Sequence, residues 1–440
     1  MEKKLYRTVG IYTLGCKVNQ YESEAIAEML ESAKITVSEG SNNCDAYIIN
    51  TCTVTAESDR KARQFIRRAI SKNPNAYVIV TGCLAQSAPE DVAKIAGVDF
   101  ICGNGEKLLA AKKLIEYFNT EKKKNSVEIC VNDIEKSGFE EMSITKFDRT
   151  RAYVKIEDGC ENRCSYCIIP SARGKIRSKA PQDIISEVEA LAQGGCKEVV
   201  LTGIETASYG KDLGNVSLAD ILCRVDKING IERVRLGSLD PSLITPEFAD
   251  KIASLKTLAP HFHLSLQSGS SRVLALMRRK YNADMAMRAI ELLREKIPDV
   301  CFTTDVIVGF PQETEDDFAK TVEFVRKANF LMVHIFPYSS RKGTEAAKMK
   351  GQIDKSEKSR RLHELENVAK ESRFSILQSA VASDTPRRVL FETFDGEFAH
   401  GHTDNFIEVA VKSAQDLRST VKNVKLTETD GSVCFGKIID

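Results

Sequence analysis

"RAYVKIEDGCENRCSYCIIPSARG", residues 151–174, runs from a strand candidate at 152–157 straight into a polar turn holding Cys160, Cys164 and Cys167. It opens a second βα alternation, with further strand candidates at 198–202, 232–237, 261–266, 302–308 and 331–336 and helical patterns between them. Six βα units in about 190 residues predict a partial barrel of parallel strands, whose chemistry lies at the C-terminal strand ends. The Cys-x3-Cys-x2-Cys turn falls at such an end. A closed structural zinc site needs four ligands, and no fourth Cys or His lies nearby in sequence. Iron–sulfur clusters are usually held by four thiolates. Three thiolates on a four-iron cluster leave one iron open to a substrate or cofactor, so the missing ligand is itself informative.

Upstream, "TVGIYTLG", "CDAYIIN", "NAYVIV" and "VDFICG" read as strands, with amphipathic helices "QYESEAIAEMLESA" and "ESDRKARQFIRRAI" among them. This alternation predicts a parallel sheet covered on both faces. Cys16, Cys52 and Cys83 sit just past the first three of these strands, on the rim where open parallel sheets bind ligands. Each alone could be a small buried residue, the common fate of a free cysteine; short turns containing Thr and Gly suit ligands better. Residues 117–148 lose the periodicity, carry charge runs and are expected to be a linker or an excursion. Beyond the helix pattern of 345–378, "RRVLFET", "FIEVAVK", "STVKNVKLTE" and "SVCFGKII" form a small all-β module. The expected division is 1–116, the linker, 149–375 and 376–440: an N-terminal parallel-sheet α/β domain, a central partial (βα)6 barrel and a small C-terminal β-barrel.

Hydrophobic residues make up 42% of the 440 and charged residues 28%, a globular balance with enough apolar surface for several cores. No apolar run reaches 18 residues, and the start "MEKKLYRTVGIYTLGC" lacks the features of a signal peptide. The expected location is therefore cytoplasmic, where 13 cysteines point to metal or redox ligands rather than disulfides. Net charge is only +1, so a nucleic-acid partner would need local basic patches. His261 and His263 share one face of a strand, as ligands or as hydrogen-bonding groups inside the barrel; His400 and His402 are expected in a turn of the β module. No nucleophile-elbow or P-loop pattern supports a hydrolase or NTPase reading.

The three-cysteine turn, with Tyr166 before the third thiol, resembles that of the radical S-adenosylmethionine enzymes. "TLGCKVNQYESE", "NTCTVT", "TGC", "CSYCIIPSARG", "DVIVGFPQETEDDF" and "FPYSSRKGTEAA" resemble, in order, blocks of the methylthiotransferases, and "GHTDNFIEV" resembles a TRAM-type RNA-binding module. The resemblance implies that Cys160, Cys164 and Cys167 bind a radical-generating [4Fe–4S] cluster whose open iron takes S-adenosyl-L-methionine. Cys16, Cys52 and Cys83 would bind a second [4Fe–4S] cluster carrying the sulfur to be transferred. Tyr166 and residues at strand ends, Thr202, Gly203, Ser238, Gln267 and Gly309, would contact S-adenosylmethionine; no catalytic side chain is assigned. "GCKVNQYESE", "MRRKY" and "TGIETASYG" are similar to the branch that modifies N6-threonylcarbamoyladenosine in tRNA. Its implied partners are an anticodon stem-loop carrying that nucleoside, a low-potential electron donor and a sulfur source.

Two features depart from the pattern. Glu161 stands where Asn is expected, and residues 376–440 hold seven Lys and Arg against ten Asp and Glu, a poor balance for gripping phosphates. Basic stretches elsewhere, "DRKARQFIRR", "ARGKIRSK" and "MRRKY", are alternative RNA grips; Arg60, Arg63, Arg67 and Arg68 fall largely on one side of a helix. Competing readings are methylthiolation of isopentenyladenosine in tRNA or of a ribosomal-protein aspartate, and a non-catalytic iron–sulfur RNA-binding protein. The last would need no S-adenosylmethionine pocket.

Overall fold

The structure is a computed structural model that describes residues 7–40, 42–124, 126–147 and 149–439. The basic start, residues 1–6, lies outside the described residues. The first domain is one parallel sheet: β1 (Thr8–Thr13), β2 (Thr36–Glu39), β3 (Ala46–Thr51), β4 (Tyr77–Gly82), β5 (Phe100–Cys102) and β6 (Glu128–Cys130), in the order β2-β1-β3-β4-β5-β6. Helices α1 (Lys17–Ser32), α2 (Ala56–Lys72), α3 (Cys83–Ser87), α4 (Pro89–Ala93) and α5 (Leu109–Thr120) cover it. Strands β3 and β4 are buried along their whole length, the reason they read as unbroken apolar runs. Ile49 and Val80 pack with Ile66 of α2 on one face, and Ile48 and Ile79 with Ile26 of α1 on the other.

Residues 117–148 are not a free linker. They finish α5 and supply β6, which pairs with β5 at the sheet edge. Glu140 then accepts the N–H groups of Lys107 and Leu108 (2.7 and 2.8 Å), while Met142 and Ile144 enter the core of the second domain. The segment lacks periodicity because it is laid across two domains instead of forming an element of its own.

In the second domain β7 (Arg151–Lys155) leads to a short antiparallel pair, β8 (Glu157–Asp158) with β9 (Arg177–Ser178), which brackets the cysteine turn and α6 (Ile169–Arg173). Next come α7 (Pro181–Gln193), β10 (Glu198–Thr202), α8 (Leu218–Val225), β11 (Arg233–Leu236), β12 (Ser238–Leu239), α9 (Pro246–Ala253) and β13 (His261–Gln267). Helices α10 (Ser271–Leu276) and α11 (Ala283–Lys296), β14 (Cys301–Val308), α12 (Glu315–Ala328) and β15 (Met332–Pro337) complete it. β11 and β12 are one strand interrupted at Gly237, so six parallel strands build the predicted partial barrel in two sheets, β7-β10-β11 and β12-β13-β14-β15. β7 and β15 are its unpaired edges, and α1 of the first domain packs on β7.

Helix α13 (Lys355–Ala382) runs along β15. Its first turns meet the strand ends, where Lys358 Nζ donates to the Tyr338 carbonyl (3.1 Å) and Arg361 pairs with Glu313 (2.7 Å). Its last turns put Leu377 and Ala380 into the core of the third domain, so the boundary expected at 376 falls inside a helix. That domain is a closed barrel of β16 (Arg387–Phe394), β17 (Phe398–Thr403), β18 (Glu408–Lys412), β19 (Val421–Thr429) and β20 (Cys434–Ile438), in the order β16-β17-β18-β20-β19. His400 and His402, expected in a turn, lie in β17, where they pair with Thr393 and Leu390. The closed barrel caps the N-terminal ends of the larger one. Glu198, first residue of β10, holds Arg151, Arg233 and Arg235, and these reach Glu392 and Asp404 of the cap. Phe406 stacks between His261 and His402 (4.5 and 4.6 Å), with φ +74°. Among the described residues no helix is long and apolar enough to cross a membrane.

Candidate active site

Cys16 caps α1 after β1, Cys52 directly follows β3, and Cys83 opens α3 after β4. Because β1, β3 and β4 are neighbours in the sheet, three distant sequence positions meet on one rim. Backbone close approach makes this possible. A Cβ on Gly15 (φ +99°) would lie 2.9 Å from Cys52 Sγ, and one on Gly82 (φ +100°) 2.3 Å from the Thr51 carbonyl oxygen. Burial, followed by the charges of Cys83 and Cys16, pushes the Cys52 thiol up to about 11.

The second triplet is set by the turn after β8. The Cys160 N–H bonds the Gly174 carbonyl (2.9 Å), closing the loop, and Ser165 is pinned to Met277 and Ala346 (3.1 and 2.8 Å). Burial pushes both Cys160 and Cys167 up to about 12, with contributions from Glu205 and from the neighbouring thiols. As free groups these thiols keep their protons at neutral pH, so iron binding would release protons.

N–H donors converge on sulfur at both triplets. Arg173 Nε and Asn104 Nδ2 point at Cys83 Sγ (3.4 and 3.5 Å), Arg279 Nη1 at Cys164 Sγ (3.3 Å), and the Ile169 N–H at Cys167 Sγ (3.4 Å). Such donors favour thiolate over thiol, the form in which cysteine binds iron. Arg173 also bonds Glu22 (2.6 Å), Asp158 (3.1 Å) and Asn19 (2.5 Å) and is fully buried. Glu22 and Asp158 together face four cations, Arg173, Lys107, Lys155 and Arg177. Burial alone would raise the Glu22 carboxyl, but Arg173, Lys107 and Lys155 hold it well below the usual carboxylate range. A buried cation surplus beside Cys83 suits anionic sulfur there. Both donor sets fit iron–sulfur ligation.

The other candidates lie in the cysteine turn and at or next to the strand ends of the barrel. Tyr166 packs edge-on against Phe310, the residue after Gly309. Thr202 ends β10, and just past Gly203 the Glu205 N–H bonds the buried Glu157 carboxyl (2.8 Å). Gln267 is the last residue of β13, with φ +70°. The Gly309 N–H bonds Glu313 (2.6 Å). Ser238, expected after the third strand, lies within it, because the chain resumes as β12 and ends at Leu239; Asp240 takes the strand-end place and pairs with Arg279 (2.9 Å). Sequence reasoning missed Arg173, Arg279, Glu205 and Asp240. The stretches "ARGKIRSK" and "MRRKY" read as possible RNA grips, yet Arg173, Arg177 and Lys179 are buried, and Arg279 serves Cys164.

A partial parallel barrel with a Cys-x3-Cys-x2-Cys turn at its strand ends defines a radical S-adenosylmethionine enzyme. Residues 154–325 match the Radical SAM superfamily, and residues 8–103 match the uncharacterized protein family UPF0004. The chain is 39% identical, over 95% of its length and 93% of the relative's, to a Bacillus subtilis (strain 168) protein named threonylcarbamoyladenosine tRNA methylthiotransferase MtaB. It is 41% identical to a Thermotoga maritima protein of the same name, covering 88% of this chain and 87% of that one. A Thermoanaerobacter pseudethanolicus protein named tRNA-2-methylthio-N(6)-dimethylallyladenosine synthase is 33% identical, over 100% of this chain and 93% of its own. The fold is similar to that of the radical S-adenosylmethionine methyltransferase TsrM of Kitasatospora setae (TM-score 0.54, 17% identity, 78% of this chain and 77% of that one). The chain belongs to the radical S-adenosylmethionine methylthiotransferase family. Membership implies a [4Fe–4S] cluster and S-adenosylmethionine.

Proposed function

We propose that this enzyme adds a methylthio group to C2 of N6-threonylcarbamoyladenosine in the anticodon stem-loop of tRNA. The observation that carries the reading is the convergence of two cysteine triplets, each met by N–H donors to sulfur and joined by the buried Arg173 network. The choice of nucleoside is supported by the relatives at 39% and 41% identity that bear that name, against 33–36% for relatives named for the dimethylallyl nucleoside.

Cys160, Cys164 and Cys167 would hold the cluster that takes S-adenosylmethionine, and Cys16, Cys52 and Cys83 a second cluster. The adenine C2–H bond is not acidic and carries no leaving group, so these groups, when bound, would supply the radical and the sulfur that side chains cannot. The chain's own residues position and enclose. Arg279 fixes Cys164 through Asp240, and Arg173 orients Cys83 against the element that follows Cys167. Tyr166, Thr202, Gly203, Ser238, Gln267 and Gly309 would contact S-adenosylmethionine, with Glu205 and Asp240 as further polar candidates. The exposed arginines of α2, Arg60, Arg67 and Arg68, with Arg63, offer phosphate contacts that the acidic module lacks. Turnover needs a low-potential electron donor and a sulfur source, and a tRNA substrate puts the enzyme in the cytoplasm.

Mass spectrometry of tRNA nucleosides from a strain lacking the protein tests the reading. Threonylcarbamoyladenosine should lose its methylthio form while methylthio-isopentenyladenosine persists. The reverse outcome would assign the enzyme to the isopentenyl branch.

A further inference from the structure

The interior of the partial barrel holds a polar cluster apart from both thiol triplets. His263 of β13, Asp305 of β14 and His334 of β15 bring one nitrogen or carboxylate oxygen each to within 4.8 Å of one another. Thr303 Oγ1 lies 2.9 Å from His263 Nδ1, and Asp305 Oδ2 3.2 Å from its Nε2. Lys17, one residue after Cys16 on the first domain, is near enough to feel the charges of Arg235, Arg151, Asp305 and Cys16, and its own charge bears on His261 and His334. The Lys17 side chain is exposed to solvent. Among the described residues its ammonium makes no hydrogen bond or ion pair. The arginines nearby are paired, Arg151 with Glu392 and Glu198, Arg233 with Glu198 and Asp404, Arg235 with Glu198. Two guanidinium nitrogens are without a hydrogen-bond partner: Arg151 Nε, which only faces Glu198 at 3.3 Å, and Arg235 Nη1, which is buried without an acceptor.

Two occupants could satisfy such a cluster. A divalent cation could use the two imidazoles and the carboxylate, but Lys17, Arg151 and Arg235 oppose it, and only three ligands are at hand. An anionic, hydrogen-bonding group meets the unpaired ammonium and the free guanidinium nitrogens, and can bond the His–Asp pair as well. The substrate base must lie between the thiol triplets, and Lys17 adjoins one of them. We infer that this polar cluster reads the threonylcarbamoyl group on the adenine, with Lys17 taking its carboxylate. The inference rests on the function proposed above and names the group that sets its specificity. A threonylcarbamoyl group brings a carboxylate, a hydroxyl and a urea-like amide; an isopentenyl group brings only hydrocarbon and would strip water from these polar groups without replacing it.

The test uses full-length, iron-reconstituted enzyme and synthetic anticodon stem-loops carrying the threonylcarbamoyl acid, its methyl ester, or isopentenyladenosine. The dissociation constant, kcat and KM are measured for the parent, Lys17→Met and Lys17→Arg. The parent should prefer acid over ester by about 10- to 100-fold, the range for a hydrogen bond to a charged group, mainly in KM and in binding. Lys17→Met should treat acid and ester alike, and Lys17→Arg should restore part of the preference. Because each ratio is taken within one variant, cluster loading cancels. A Lys17→Met enzyme that keeps the parent's acid-to-ester ratio overturns the inference, as does equal loss on both RNAs, which would place the lysine on a phosphate. Loss of the parent's preference after metal chelation would assign the polar cluster to a cation instead. A parent that modifies only the isopentenyl stem-loop overturns the functional reading itself, and the carboxylate's part with it.

Discussion

Replacing Glu22 by Gln keeps the side-chain volume and removes one charge from the hub joining the first two domains. Glu22 lies 2.8 Å from Lys107 Nζ, 3.0 Å from Lys155 Nζ and 2.6 Å from Arg173 Nη1, with all four side chains essentially solvent-free. After the change Asp158 alone faces Arg173, Lys155 and Arg177, and Lys107 loses its carboxylate partner. Removing one partner of a buried ion pair costs about 3–5 kcal/mol. At about 2–4 °C per kcal/mol for domains of this size, the first thermal transition should fall by roughly 6–20 °C. The assay is anaerobic calorimetry of reconstituted parent and variant between pH 4 and 8. The sign of the pH effect follows from the direction of the shift. The folded Glu22 carboxyl sits well below its unfolded value of about 4.3, so its contribution is complete above that value and is lost as pH falls toward the folded one. The gap between parent and variant should be constant from pH 6 to 8 and narrow below about pH 4. A loss under about 2 °C, or a gap that widens in acid, would refute the charge argument.

Replacing Cys160, Cys164 and Cys167 together by Ala should leave about half the iron and abolish S-adenosylmethionine cleavage, as read by iron assay and chromatography of 5′-deoxyadenosine. The same treatment of Cys16, Cys52 and Cys83 should also halve the iron while cleavage continues without sulfur transfer; unchanged iron would return those thiols to the core. Gly15→Ala should behave like the second variant, because the new Cβ strikes Cys52 Sγ at 2.9 Å. Gly214→Ala, with φ +78° and open space around it, should leave the iron content alone. Changing Arg60, Arg63, Arg67 and Arg68 to Gln should weaken tRNA binding and flatten its log–log salt dependence by about one unit for each phosphate no longer neutralised. An unaltered slope would make α2 a merely solvated face.

Much of this architecture is legible in the sequence because buried parallel strands are local signals. The first four residues of β3 and of β4 are apolar, and the cysteines after them mark the rim. The elements that escape are edges. β2 and β6 are four and three residues long, and β6, "EIC", sits in a charged stretch, so neither carries an apolar run. β17, "FAHGHT", alternates small and polar residues and reads as a turn until its barrel partners are known. At the site the cysteines are visible by spacing, whereas the groups that condition them are not. Arg173 finds Glu22 151 positions away, and Arg279 finds Cys164 115 positions away. Nothing local separates such buried arginines from surface ones, so a basic stretch looks the same in either place.

Helix α13 has a consequence for how this chain can tolerate changes in length. It is 28 residues long, about 42 Å at 1.5 Å per residue, with one end against the strand termini and the other packed on the closed barrel's core. Adding one residue would turn the terminal module by about 100° and move it 1.5 Å, carrying Asp404 away from Arg233 and Phe406 away from His261. Seven residues, very nearly two turns, would restore the facing but lift the module by about 10 Å. The helix therefore behaves as a keyed shaft. Homologous modules can be exchanged between enzymes of this kind only when the number of residues within this helix is preserved.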